Sequence, residues 1–114
     1  MDNDTIFDKI LRKEIPADVV YEDEAVFAFK DINPQAPVHV VVIPKKKVSG
    51  FDKLAELPID FIGRYMTGIA AAAKALGLDN GYRVVFNTGK DGQQTVSYIH
   101  AHILGGRPLK WPPG

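Results

Sequence analysis

Between Val38 and Ile43 the chain reads Val-His-Val-Val-Val-Ile, a β-branched run interrupted only by His39. β-branched side chains are stiff and favour the extended backbone. Successive strand side chains point to opposite faces, so a run apolar at nearly every position must be covered on both sides. The chain therefore needs a sheet with this strand near its middle and a layer packed on each face.

The flanking sequence supplies those layers. Thr5 and Asp8 resemble a capping box with Asp in place of Glu. Ile6, Phe7, Ile10 and Leu11 follow at helical spacing, predicting a short helix over residues 5–13 that stops near Pro16. Val19 to Tyr21 and Ala25 to Phe29, around the acidic turn Glu22-Asp23-Glu24, read as a hairpin. Asp31 to Pro37 is a loop punctuated by two prolines. Lys45, Lys46 and Lys47 read as a solvated strand end. Pro58 suits the first turn of a longer helix, with a stripe of Ile62, Met66, Ile69, Ala73 and Leu76 and Gly77 at its C-terminus. Gly68 and Ala70 to Ala73 permit close packing of that helix on a sheet. Asn80-Gly81 is a turn, Tyr82 to Phe86 a strand, Gly89 to Gly92 a loop and Tyr98 to Leu104 a strand. This order predicts an α+β domain on a mostly antiparallel sheet, with one long helix and a short N-terminal helix.

At 114 residues the chain is long enough for one core and short for two, so residues 1–114 are expected to form one domain. It has no cysteine, which removes disulfides and thiolate metal sites and suits a reducing cytoplasm. Lys plus Arg and Asp plus Glu are both 14, a zero balance that argues against a general nucleic-acid binder. No apolar run approaches the roughly 20 residues of a membrane span. Met1-Asp2-Asn3-Asp4 is acidic where a secretory signal would be basic. The expectation is a soluble cytoplasmic protein, with neither nucleic acid nor membrane as partner.

The three histidines are the candidates for chemistry. His100 and His102 lie two apart on a strand, so both project from one face, which Tyr98 shares. Ile99, Ala101 and Ile103 occupy the core face. Adjacent imidazoles suit metal ligation, general acid–base work, or phosphate binding with nucleophilic attack. Two surface histidines on a half-exposed strand satisfy the same spacing. Asn87-Thr88-Gly89 and Asp91 to Thr95 form loops whose backbone amides can cradle an anion. His39, inside an aliphatic strand, needs hydrogen-bond partners if buried. It is either a structural core histidine or, if its strand neighbours that of His100, an orienter of the site.

The segment Tyr98-Ile99-His100-Ala101-His102-Ile103-Leu104-Gly105-Gly106-Arg107 resembles the His-x-His-x-His signature of the histidine triad (HIT) family. Asp4 to Phe7 with Lys13 to Ala17, Phe29 to His39, and Trp111 to Gly114 are also similar to its nucleotide-binding branch, the purine nucleoside phosphoramidases. Only Ser49 to Leu57 stands outside the likeness.

The resemblance implies a HIT-like fold whose sheet continues across a homodimer, and a hydrolase cleaving the P–N bond of AMP-amine substrates. His100 matches the nucleophile, which forms a nucleotidyl-histidine intermediate. His102 matches the histidine that holds phosphate oxygens. Asp31 matches the carboxylate on the ribose hydroxyls. Ile6, Phe7, Ile10, Phe29, Ile32 and Val41 match an apolar slot for the purine. Asn87, Gln94 and Thr95 match polar contacts around the phosphate, with the Thr95 hydroxyl placed to assist the leaving amine. Trp111 matches a residue that reaches the partner's site. No cofactor and no metal is implied.

Two positions depart from the family pattern. Tyr98 replaces the first histidine, whose side chain in the family bonds the counterpart of His39 and whose carbonyl orients the nucleophile. Tyrosine keeps the carbonyl and offers a hydroxyl, so orientation should survive. Gln93 replaces a glycine, which should narrow the phosphate loop. Two other readings fit the residues: a zinc protein using His39, His100 and His102, and a non-catalytic nucleotide-binding or scaffold protein.

Overall fold

The computed structural model describes residues 4–114; the acidic stretch 1–3 lies outside the described residues. Five antiparallel strands form one sheet in the order β1-β2-β3-β5-β4, with β3 at its centre. They are β1 (Val19–Glu22), β2 (Val26–Lys30), β3 (Val38–Pro44), β4 (Tyr82–Phe86) and β5 (Ala101–Gly105). Val40 to Ile43 are all buried, as a doubly covered strand requires. The α+β expectation holds.

One face of β3 belongs to the long helix α2 (Ile59–Ala75). Val26, Ala28, Val40, Val42, Ala101 and Ile103 pack there against Tyr65, Ile69, Ala72 and Ala73. The expected stripe faces the sheet, with Ile69 and Ala73 buried, and the expected small residues Gly68 and Ala72 make the closest approach. Gly68 sits so close to β2 that a Cβ on it would come within 2.5 Å of a Val26 methyl. Ile62, Met66 and Leu76 are therefore pushed to the margin, where they are half-buried. Pro58 is the N-cap, one residue before the helix, and Gly77 follows the C-cap with φ 65°, the left-handed backbone that glycine adopts most readily.

The other face carries the short helix α1 (Ile6–Leu11). Its capping box forms as expected: the Thr5 hydroxyl accepts from the Asp8 N–H, and the Asp8 carboxylate accepts from the Thr5 N–H at 2.8 Å. The helix ends at Leu11, short of the expected residue 13. Phe7 and Ile10 bury against Phe27, Phe29, Val41, Ile43 and Tyr98. The β1–β2 turn is held by Asp23, whose Oδ1 accepts from the N–H groups of Ala25 and Val26. Lys45 to Lys47 are exposed, with Lys45 paired to Glu22 and Lys47 to Asp8.

Two features differ from the sequence reading. Phe51–Glu56 forms a 3-10 helix that no periodicity announced. Strand β5 begins at Ala101 rather than Tyr98. Its partner β3 ends at Pro44, which has no N–H to continue the ladder beyond the Val42–Ala101 pair. Tyr98 to His100 therefore leave the ladder and are held by other bonds, including Ile99 N–H to the Val48 carbonyl. Among the described residues no helix is long and apolar enough to cross a membrane.

Candidate active site

Strand register assembles the site. Phe29 pairs with Val41 on β3, and Val41 pairs with His102 on β5, so the three side chains form a row on the α1 face. Above that row lies a cavity of about 750 Å³, within the range that small-molecule sites occupy. Ile6, Phe7, Ile10, Phe29, Ile32 and Val41, the residues expected to form an apolar slot, all line it. Ile32 is 96% exposed, an isoleucine that only a ligand or partner would cover. Asp31, Thr95, His100 and His102 line it too.

His100 is held by its own neighbourhood. Its Nδ1 lies 2.7 Å from the Tyr98 carbonyl, and its ring packs edge-on against Phe7 with centroids 4.9 Å apart. A carbonyl only accepts, so Nδ1 carries the hydrogen. Burial lowers the pKa of His100 despite the opposing pull of that carbonyl. A neutral ring protonated at Nδ1 leaves the Nε2 lone pair free. That is a nucleophile's configuration.

His102 is set by a longer chain of bonds. The backbone N–H of Gln35 donates to His39 Nδ1 at 3.0 Å, so neutral His39 carries its hydrogen on Nε2. That atom lies 2.8 Å from His102 Nδ1, which must accept. His102 then bears its hydrogen on Nε2. Burial, reinforced by His100 and His39, pushes the His102 pKa down to about 4, and burial also lowers that of His39. Both rings are therefore neutral near pH 7, and His102 offers a hydrogen-bond donor. His39 is thus an orienter, acting on His102 rather than directly on His100.

Tyr98 is completely buried. Its hydroxyl donates to the Pro44 carbonyl at 2.5 Å and does not reach His39. His102 makes the contact with His39 that the sequence reading assigned to the first triad position. Asn87 and Gln94 stabilise the loop instead of lining the cavity. Asn87 Nδ2 donates to the Gly92 carbonyl; Gln94 Nε2 donates to the Ser49 and Val96 carbonyls, and its Oε1 accepts from Gly89 N–H. Gln93 adopts φ 59°, which explains why a glycine is comfortable there, and its side chain is exposed. Trp111 is 80% exposed, lies outside the cavity, and has the Arg83 guanidinium 6.0 Å from its ring centroid.

Sequence reasoning missed Ile15, Pro16 and Ala17, which close one side of the cavity, and Asp18, Lys30 and Val96 at its edges. An apolar Ile-Pro-Ala directly after a helix end was the available signal.

Asp31, His39 and His102 bring potential metal ligands within 4.8 Å of one another. The donor set does not fit zinc as it stands. A zinc ion needs a lone pair from each imidazole. Gln35 occupies one His39 nitrogen, and the other carries the hydrogen shared with His102.

A family model described as the HIT domain matches residues 12–109. The chain is 54% identical to the 14 kDa zinc-binding protein of Zea mays, over 99% of this chain and 90% of that protein. It is 50% identical to adenylylsulfatase HINT1 of Arabidopsis thaliana, over 99% of this chain and 78% of that protein. Its fold matches the crystal structure of a HIT family hydrolase from Legionella pneumophila Philadelphia 1 with a TM-score of 0.85 and 43% identity, covering 96% and 98% of the two chains.

Proposed function

The chain belongs to the HIT domain family, and on that premise we propose that it cleaves the P–N bond of purine nucleoside phosphoramidates through a nucleotidyl intermediate on His100. The HIT domain match and the hydrolase relatives support a nucleotide-binding hydrolase. One observation carries the assignment of His100 as nucleophile. Nε2 of His100 is left with a free lone pair because Nδ1 is committed to the Tyr98 carbonyl.

Nε2 of His100 attacks the α-phosphorus as the bond to the amine nitrogen breaks; the departing electron pair takes a proton supplied from solvent through the hydroxyl of Thr95, which lines the cavity. The imidazole becomes cationic, and the Tyr98 carbonyl stabilises its Nδ1–H. His102 Nε2–H donates to the non-bridging oxygen on which charge grows. Water then attacks phosphorus and returns a proton to solvent, which replaces the one the amine took; the P–Nε2 bond breaks, AMP leaves and His100 returns neutral. The apolar slot holds the purine and Asp31 the ribose. The Arabidopsis relative carries the name adenylylsulfatase, and a leaving sulfate on an adenylyl phosphorus asks the same of His100.

Support for a homodimer comes from strand β4, which ends the sheet with one edge unpaired and with Tyr82 and Val84 exposed. A second β4 would continue the sheet, and the exposed Trp111 would meet the partner. Light scattering at micromolar concentration tests this. A cytoplasmic setting accords with the absence of cysteine.

The test of the activity is turnover of an adenosine phosphoramidate with intact-mass detection of an AMP adduct. His100→Ala should abolish turnover and the adduct while AMP still binds. Wild-type rates in that variant overturn the mechanism. The second reading, a non-catalytic nucleotide binder, is favoured by the replacement of the first triad histidine with Tyr98. Tight AMP binding by the wild-type protein without turnover would establish it.

A further inference from the structure

Asp31 has two neighbours that a sugar-binding carboxylate does not need. Its main-chain N–H donates to the His39 carbonyl at 3.0 Å, which ties the end of β2 to the start of β3. Its Oδ1 accepts from Asn33 N–H at 2.8 Å, fixing the carboxylate plane. That leaves Oδ2 at 3.4 Å from His39 Nε2, beside the 2.8 Å contact from the same nitrogen to His102 Nδ1. One hydrogen on His39 Nε2 therefore faces two acceptors. The short contact holds it, and the carboxylate stands at the outer limit of hydrogen-bond reach.

We propose that Asp31 is a positioning residue for the phosphate site as well as a ribose ligand: by competing for the His39 hydrogen, it makes the donor state of His102 depend on whether the sugar hydroxyls are bound. The proposal rests on the nucleotide-hydrolase reading above and extends it to how sugar recognition reaches phosphorus. With no sugar, the Asp31 charge pulls on His39 Nε2–H, and the bond to His102 Nδ1 weakens. His102 then samples its second tautomer part of the time, and the hydrogen that the 2.8 Å contact places on Nε2 is held less firmly. When two ribose hydroxyls donate to the carboxylate, its charge is dispersed and its lone pairs are filled. The His39 hydrogen goes wholly to His102 Nδ1, and Nε2–H of His102 is locked toward the phosphate. Gln35 cannot relax the chain from the other end, because a backbone N–H can only donate. Sugar contacts thereby act on the chemical step and not on binding alone.

Two measurements test this. The first compares an adenosine phosphoramidate with its 2′,3′-dideoxy counterpart in the wild-type protein and in Asp31→Asn, which keeps an acceptor for Asn33. The wild-type kcat should fall at least about fivefold for the dideoxy substrate, beyond any rise in KM. In Asp31→Asn the two kcat values should agree within about twofold. A change confined to KM in the wild-type protein overturns the proposal. The second records imidazole ¹⁵N resonances of His102 with AMP and with 2′,3′-dideoxy-AMP. AMP should give a single Nε2–H tautomer and dideoxy-AMP an averaged one. Identical His102 resonances in the two complexes overturn the proposal even if neither phosphoramidate is turned over, an outcome that would separately end the hydrolase reading.

Discussion

The hydroxyl of Tyr98 donates to the carbonyl of Pro44, 54 residues away in sequence, while the carbonyl of Tyr98 accepts from Nδ1 of His100. One residue thus joins the end of the central strand to the imidazole of the proposed nucleophile, His100. Its side chain is clamped by Phe7, whose ring meets it edge-on at 6.0 Å between centroids, and by Lys47 Nζ, 5.9 Å from the ring centroid. The clamp replaces the polar contact expected of a histidine at this position.

Tyr98→Phe removes a hydrogen and leaves the Pro44 carbonyl buried without that donor. Stability should fall by about 1–3 kcal/mol, read by denaturant unfolding, while kcat/KM changes less than about tenfold because the orienting carbonyl remains. Tyr98→His should raise kcat/KM by no more than about 100-fold, or about 2.7 kcal/mol of barrier. A larger rise would mean that tyrosine is a crippling replacement, contrary to this assignment.

Proton uptake gives a second check. His100 must be neutral to attack, and burial holds its pKa below the ordinary 6.5. The acid limb of the kcat/KM profile should therefore lie below pH 6.5. Stability follows the same groups. The unfolded chain gains a proton on His102 as pH falls through 6.5, whereas the folded protein resists until about 4. Between those values the unfolded state binds more protons, so stability must decline as pH falls and level off below about 4. After allowance for solvent screening of a partly exposed ring, the loss from His102 should be about 1–2 kcal/mol. An acid limb centred at or above pH 6.5 would contradict the burial of the nucleophile.

Metal removal separates the zinc reading from the proton reading. Dialysis against a chelator should leave turnover unchanged, since the nitrogen that His39 presents to His102 carries a hydrogen. Stoichiometric zinc in protein purified without added metal, with activity lost on its removal, would reverse the tautomer assignment.

Gly68→Ala tests the packing that supports the site from behind. The added methyl would meet Val26 Cγ1 at 2.5 Å in the middle of the helix–sheet contact. Overpacking typically costs about 1–3 kcal/mol, and the gain in helix propensity returns at most about 1. A net loss of about 1–2 kcal/mol is expected in denaturant unfolding. A stabilised variant would show that β2 yields easily.

Much of this was legible in the chain. The run around His39 announced a covered central strand, and the spacing of His100 and His102 placed both on the cavity side with Ile99, Ala101 and Ile103 behind them. Strand alternation accounts for His102, Ala101 and Ile103, whereas His100 precedes β5 and reaches the same side through its bond to the Tyr98 carbonyl. On α2 the small residues that permit close packing were legible too, and Gly68, Ala72 and Ala73 are buried with Ile69; what the stripe did not disclose was Tyr65, buried beside them.

Local sequence, then, determined which residues could form strands and helices, and which imidazoles shared a face, because backbone geometry and burial of apolar area act over a few residues. Tertiary structure alone decided which nitrogen of each imidazole holds its hydrogen. That choice depends on partners brought from elsewhere: the Gln35 N–H and the Tyr98 carbonyl, placed by a strand register and a buried hydroxyl that no local pattern encodes.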